Sequence, residues 1–305
     1  MIRSSWFFSL PKDCAKAYVL SMTEVLVIGG ANIDIKARCA SAHVAATSNP
    51  AHISHKPGGV ARNIAHNLGR LGAKVSLLSV VGNDAAGEGL LNTTAQAGVD
   101  VSRCFKATGV TGTYLAFLDV QGELITAAND MAILQSITPN IITRHKEAII
   151  TARLVIVDCN LPVETLNAIT KLASAKLIVE PVSVSKAQKL KTLGMPIFLA
   201  TPNLDQVEAL TGTRDPQAAA KFLHQSGIIN LVIHAGSQGA FVSDGASFTH
   251  IPARASKIVD VTGAGDAATA GLAFGLLKGL PLAKAAELGQ DMAAKVIAST
   301  ASTLE

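Results

Sequence analysis

Short β-branched runs punctuate this chain at Val25 to Ile28, Val75 to Val80, Leu154 to Asp158, Leu177 to Val179, Ile197 to Leu199 and Leu231 to Ile233. They read as strands buried on both faces, as in a parallel sheet. Between them apolar residues recur at helical spacing, as in Val60, Ile64, Leu68 and Leu71, or in Phe222 and Leu223 ahead of Gly227. The alternation predicts a doubly wound α/β fold, a mainly parallel sheet with helices on both faces. With 49% apolar and only 16% charged residues in 305, a large core is available and disorder within the fold is excluded.

Residues 34 to 56 and 111 to 128 break this rhythm. In the second stretch Thr113 to Leu118 and Leu124 to Ala127 flank a turn-like Gln121-Gly122 pair. Both stretches are expected to be strands of a small lid at the sheet edge, where open α/β sheets bind ligands. A single domain over residues 23 to 305 is expected. Residues 1 to 22 read as an extension, disordered and outside the fold. The apolar stretch from Trp6 to Leu10 is cut short by Pro11, Lys12 and Asp13, far below a membrane span.

The formal charge is +4, but Lys and Arg are scattered, and no basic run is interleaved with aromatics. This argues against nucleic-acid polymers as partners. Cys14, Cys39, Cys104 and Cys159 lie far apart without a CxxC pair, so neither zinc nor a disulfide framework is indicated and a reducing cytoplasm is expected.

The chemistry concentrates near the carboxyl end, in Asp260-Val261-Thr262-Gly263-Ala264-Gly265-Asp266 followed by a small-residue run and an apolar helix. Amides freed at Gly263, Ala264 and Gly265, together with the helix dipole, would hold the charge of a phosphoryl group in flight. Asp266 at the mouth of that loop could take the proton of an attacking hydroxyl, or merely cap the helix. A second glycine signal, Pro57-Gly58-Gly59-Val60-Ala61-Arg62-Asn63, also runs into a helix. Gly29-Gly30-Ala31-Asn32-Ile33-Asp34 ends the first strand with a carboxylate suited to two vicinal hydroxyls. Taken singly, each of these is ordinary turn chemistry.

Their order resembles the ribokinase-like carbohydrate kinase family, also called the phosphofructokinase B group, from about Glu24 to about Ser299. The segment from Gly58 to Asn63 matches the family's amino-terminal signature, and Asp260 to Asp266 matches the carboxy-terminal one. The resemblance implies ATP-dependent phosphorylation of a small hydroxylated substrate, with Asp266 as catalytic base and Gly263, Ala264 and Gly265 as the anion hole. It implies acceptor binding by Asn32, Asp34, Gly58, Gly59 and Asn63. It places the nucleotide near Asn203, Thr262 and the segment His234-Ala235-Gly236-Ser237-Gln238-Gly239, with His234, Gly236 and Gly239 as contacts.

Three further segments carry a narrower likeness, to family members acting on pseudouridine: Gly58 to Ala65, then Ala128-Asn129-Asp130-Met131, and Val157-Asp158-Cys159-Asn160 joined with Glu180-Pro181-Val182-Ser183. That likeness implies a nucleoside acceptor whose uracil edge meets Asn129 and Asp130. Ribose, another nucleoside or a sugar acid is the alternative, and a catalytically silent nucleoside-binding relative is a third reading. The family also implies Mg2+, often a monovalent cation such as K+, and commonly a homodimer through the lid strands.

The chain departs from the family pattern in its Asn-x-x-Glu motif, where Gln206 holds the fourth place and Glu208 follows. Both are retained as expected water-mediated magnesium contacts. The chain ends at Glu305 soon after the helical run from Leu282 to Ile297, which predicts a nucleotide pocket lacking one wall.

Overall fold

The computed structural model describes residues 23–305 except 174, 175 and 195, so the expected leader over residues 1 to 22 lies outside the described residues. In chain order, β1 (Val25–Ile28) is followed by β2 (Asn32–Cys39), β3 (Ala51–Gly58) and the helix Val60–Arg70. Next come β4 (Val75–Leu78), β5 (Val80–Gly82), the helix Ala85–Gln96, β6 (Phe105–Ala107), β7 (Thr113–Leu118) and β8 (Leu124–Asp130). After two short helices, β9 (Leu154–Asp158), β10 (Leu177–Glu180), β11 (Ile197–Ala200) and β12 (Ile228–His234) alternate with helices. The chain then runs through β13 (Ala240–Ser243) and β14 (Phe248–Ile251) to the helices Ala264–Leu277 and Leu282–Ile297.

The main sheet has eight strands in the order β14-β13-β12-β11-β10-β9-β1-β4. From β4 to β12 every pairing is parallel, and only the pairings β12–β13 and β13–β14 are antiparallel. Alternation along each strand sends Leu26, Ile28, Val155, Val157, Leu177 and Val179 into one apolar layer, against the helices Val163–Ala173, Leu204–Thr211 and Pro216–Gln225. Val25, Val27, Ile156 and Ile178 enter the other layer, against Val60–Arg70, Ala264–Leu277 and Leu282–Ile297. Helices therefore cover both faces, as the apolar runs require. In the predicted Phe222-Leu223 pair only Leu223 is buried, while Phe222 is exposed, because helical neighbours point about 100° apart.

The run expected from Val75 to Val80 is broken at Ser79. Its hydroxyl donates to the Gly29 carbonyl at 2.6 Å, and its own carbonyl accepts from Phe105 N at 3.1 Å, which turns the chain out of the main sheet to pair β5 with β6. The stretches from 34 to 56 and 111 to 128 form a four-stranded sheet in the order β3-β2-β7-β8. Its register sets Lys56, Asp34, Tyr114 and Asn129 in one row across the sheet. β8 runs on through Asp130 rather than ending near Ala127, so Asn129 and Asp130 lie within the strand and not after it.

Cys39, Cys104 and Cys159 are unpaired. Among the described residues no helix is long and apolar enough to cross a membrane.

The helices Ala264–Leu277 and Leu282–Ile297 pack through small residues. A methyl group on Gly289 would lie 2.6 Å from the Ala268 carbonyl oxygen, and one on Gly275 would lie 2.7 Å from Ala285 Cα. Backbone cannot yield as a flexible side chain can. Gly289→Val is therefore expected to lower stability by about 2 kcal/mol or more, since overpacking outweighs any gain in helix propensity. Exposed Gly89, with open space around it inside the helix Ala85–Gln96, gives the contrast: Gly89→Ala is expected to raise stability by up to about 1 kcal/mol. Thermal and urea unfolding of both variants checks the pair.

Candidate active site

The parallel strands deliver their carboxyl ends to one edge, and the polar residues collect there. Asp158, fully buried at the end of β9, accepts from Gly30 N at 2.8 Å and Ala61 N at 3.0 Å through Oδ2, and from Asn160 N at 3.0 Å through Oδ1. It thereby joins the turn after β1 to the first turn of the helix Val60–Arg70. A methyl group on Gly29 would lie 2.5–2.7 Å from the Asp158 carboxyl atoms, so the carboxylate occupies the space that glycine leaves. Burial pushes the Asp158 carboxyl upward, opposed by these hydrogen bonds.

Asn32 and Asp34 begin β2, and Asn32 Nδ2 donates to Asp34 Oδ1 at 2.7 Å. Asp34 lies over Gly58, which has no room for a side chain. Gly59, at φ 96°, lets the helix start against the Gly30 carbonyl. Burial raises Asp34 above the ordinary carboxylate range, against the pull of Asn32, Lys36 and Arg62.

Across from them Gly263, in the left-handed region at φ 80°, opens the helix Ala264–Leu277. Its missing side chain admits the Ser302 carbonyl. Asp266 stands in the first turn and accepts from Asn63 Nδ2 at 2.8 Å through Oδ2, across 203 residues of sequence. Burial pushes its carboxyl well above the ordinary range; the Asn63 bond opposes this, while Glu180, Asp158 and Asp34 add to it. The two glycine signals of the sequence thus meet at one hydrogen bond.

The lid is tied to the same loop. Lys36 Nζ donates to Asp260 Oδ2 at 2.8 Å and to Thr262 Oγ1 at 2.9 Å, while Lys56 bonds the Thr300 carbonyl. Burial draws Asp260 upward, but the bonds from Lys36 and Thr262 outweigh it and leave it below its ordinary value. The row from Lys56 through Asp34 to Asn129 therefore lies on the face of the lid that carries these contacts. Strand alternation turns Asp130 to the opposite face, where its Oδ1 accepts from Ala132 N at 3.2 Å. The two residues expected to meet one uracil edge together are thus separated.

On the far side of the edge, Asn203 and His234 sit side by side in a parallel bridge, with His234 N donating to the Pro202 carbonyl at 2.8 Å. Asn203 caps the helix Leu204–Thr211 in a reciprocal box with Gln206, both bonds 2.9 Å. Gln206 is buried in that role. Glu208 and Asp205 both pair with Arg214 at the surface. Magnesium contacts were expected of Gln206 and Glu208, and the structure spends one on a cap and the other on a surface ion pair. Among the described residues, no group of three or more His, Cys, Asp or Glu gathers to hold a metal. His234, pushed down to about 4 by burial, keeps Nε2 buried and unpartnered. Beside it Gly236 and Gly239 turn the chain at positive φ, with open space above Gly236.

Sequence reasoning assigned no role to Glu180, Asp158, Lys36 or Arg62. The signal was present, since Asp158 and Glu180 each end an apolar strand at the edge where ligands bind. Glu180 Oε2 accepts from Thr201 Oγ1 at 2.6 Å and from Thr269 Oγ1 at 3.3 Å, which links β10 to the helix bearing Asp266. Oε1 accepts from Val182 N at 3.2 Å, and Val182 takes φ 70°, a strained value for a β-branched residue.

Burial pushes Glu180 up from 4.5 to about 7, so the folded state binds its proton more tightly than the unfolded chain. Wild-type stability measured against Glu180→Gln should accordingly fall as pH rises from 4.5 towards 7 and level off above, by on the order of 3 kcal/mol at most. Urea titrations of both proteins at several pH values read that difference.

Comparison with known proteins identifies the family and the fold. The pfkB family carbohydrate kinase pattern matches residues 22–304. The pseudouridine kinase of Escherichia coli K12 is 39% identical over 87% of this chain and 88% of its own length. An uncharacterized sugar kinase of the same organism is 36% identical over 87% of this chain and 75% of its own. Among solved structures, a carbohydrate kinase from Agrobacterium tumefaciens superposes with a TM-score of 0.80 at 32% identity, covering 92% of this chain and 93% of that one. The chain belongs to the pfkB family of carbohydrate kinases, and its fold is the ribokinase-like α/β fold.

Proposed function

We propose that this chain transfers the γ-phosphoryl group of ATP to the 5′-hydroxyl of pseudouridine. The observation that carries the reading is Asp266 in the first turn behind Gly263, bonded by Asn63 from the acceptor side, in a chain 39% identical to a pseudouridine kinase. Asp266 takes the hydroxyl proton as the oxygen attacks phosphorus. The bond from Pγ to the bridging oxygen breaks, ADP leaves, and Asp266 returns the proton to solvent. Among the described residues the amides of Gly265 and Asp266 find no backbone acceptor; with Gly263 and Ala264 shaping the turn, they form the anion hole for the charge that develops on the phosphoryl oxygens.

Asn32 and Asp34 take the ribose hydroxyls, with Gly58 and Gly59 allowing the sugar to approach the backbone. Asn129, in the same lid row as Asp34, is the residue assigned to the base, and Asp130, turned to the opposite face, is left out of that role. Orphaned His234 Nε2, Asn203 and the turn from Gly236, open there, to Gly239 fit a nucleotide phosphate, and Thr262, in the loop before Gly263, is the remaining nucleotide contact. Magnesium bound with ATP supplies neutralisation of phosphate charge, and no protein cage for it is needed. A monovalent cation beside the loop remains an expectation; there the Lys36 ammonium already meets Asp260 and Thr262. The lid's outer face exposes Ile53 and Leu115, which suits a homodimer, and a cytoplasmic setting suits the unpaired cysteines. A second reading keeps the chemistry with a sugar acceptor, supported by the likeness to an uncharacterized sugar kinase.

ADP release should be followed with pseudouridine, uridine, ribose and adenosine, with and without EDTA, beside Asp266→Asn. Pseudouridine is expected to give the highest kcat/KM. The substitution should cost about 10²–10⁴-fold in kcat, the usual worth of a positioned base. A preference for ribose would keep the kinase and remove the role of Asn129, while turnover unchanged in Asp266→Asn would remove the base. Because the base works only when ionised, kcat/KM should fall with falling pH through a midpoint well above the ordinary Asp range.

A further inference from the structure

Arg62 is only 1% exposed, an unusual place for a guanidinium. A buried cation is tolerated only when most of its donors are matched, and here four of the five N–H groups are. Nε donates to Thr94 Oγ1 at 3.1 Å, Nη1 to the Pro57 carbonyl at 3.4 Å and to Asn63 Oδ1 at 3.0 Å, and Nη2 meets His66 Nδ1 at 3.1 Å. His66, pushed down to about 4 by burial, is neutral. It donates from Nε2 to the Leu304 carbonyl at 3.2 Å, which leaves Nδ1 to accept from Arg62.

An asparagine amide presents an acceptor and a donor of nearly the same shape, and only its partners decide which end faces which way. A guanidinium can only donate. It therefore claims the Asn63 oxygen and leaves the Asn63 nitrogen aimed at Asp266 Oδ2, 2.8 Å away. With the amide reversed, an oxygen would face the carboxylate, and Asp266 would have to hold a proton to satisfy it.

We propose that Arg62 is a positioning residue for the proposed kinase chemistry: it sets the orientation of the Asn63 amide so that its nitrogen, not its oxygen, meets Asp266 and aims that carboxyl at the acceptor hydroxyl. The inference rests on the kinase reading above for its consequence in turnover, and on the hydrogen-bond chain alone for its consequence in protonation. Charge works in the same sense. Asp34 from the lid and Asp158 and Glu180 from the sheet edge all disfavour a charge on Asp266, whereas Arg62 is coupled favourably to both Asp34 and Asp266. The nearby Lys36 is engaged with Asp260.

The test is a double-mutant cycle of Arg62→Met and Asn63→Ala, read by kcat, by KM for ATP and by carbon-13 NMR titration of the Asp266 carboxyl. Arg62→Met is expected to lower kcat at neutral pH at least tenfold, to change KM for ATP less than threefold, and to raise the Asp266 midpoint by a unit or more. In the Asn63→Ala background the same change should cost less than threefold, and the midpoint should move much less. Equal losses in both backgrounds, or an Asp266 midpoint indifferent to Arg62, would overturn the proposal. Should Arg62→Met fail to fold, Arg62→Lys takes its place in the cycle. It keeps the charge but loses the planar fork, so the same non-additivity is expected with a smaller midpoint shift. If the wild-type protein shows no kinase turnover, the kinase reading fails, and the NMR midpoints in the two backgrounds still decide the role of Arg62.

Discussion

A single buried carboxylate holds together the edge of the sheet where β1 and β9 end. Asp158 has no contact with water to offset its desolvation, so it stands only because backbone amides from the β1 turn, from the start of the following helix and from its own loop converge on it. Among the described residues those amides in turn have no other acceptor. The requirement is mutual, and it dictates glycine at position 29, where a side chain would collide with the carboxyl group. The placement of Asn63, and through it of Asp266, descends from this one arrangement.

The layered fold was legible because burial on two faces demands uninterrupted apolar runs, and Val25–Ile28 or Leu154–Asp158 can hardly serve otherwise. The glycine loops were legible because few residues other than glycine permit the turns at Gly59 and Gly263. Legibility ended where an outcome depends on register or on side-chain direction. Whether β8 stops at Ala127 or Asp130 is a matter of cross-strand pairing, and those few residues decide that Asn129 and Asp130 face opposite ways. Ser79 reads as a strand residue until its hydroxyl is seen to bond the Gly29 carbonyl. Gln206 reads as a defect in a metal motif until it is seen to complete a helix cap.

Charge distribution explains why the site is poised rather than relaxed. Asp34, Asp158, Glu180 and Asp266 are all lifted above their ordinary values, chiefly by burial. A cluster of this kind is costly to ionise, and hydrogen bonds from Asn32, Asn63, Thr201 and several amides supply the opposing pull. In the proposed mechanism this suits Asp266, since a base that is reluctant to ionise is also a stronger proton acceptor, which is the property an alcohol acceptor requires.

The bond from Asn63 to Asp266 spans 203 residues, and that from Lys36 to Asp260 spans 224. During synthesis on the ribosome the first half of the chain emerges with its glycine turns, its lid strands and Arg62, but without the segment that carries the base. The parallel sheet can grow strand by strand as it is made. The proposed reacting centre cannot, because its two halves lie far apart in the chain. A polypeptide interrupted between residues 130 and 260 therefore carries the residues proposed for the acceptor without the proposed base Asp266.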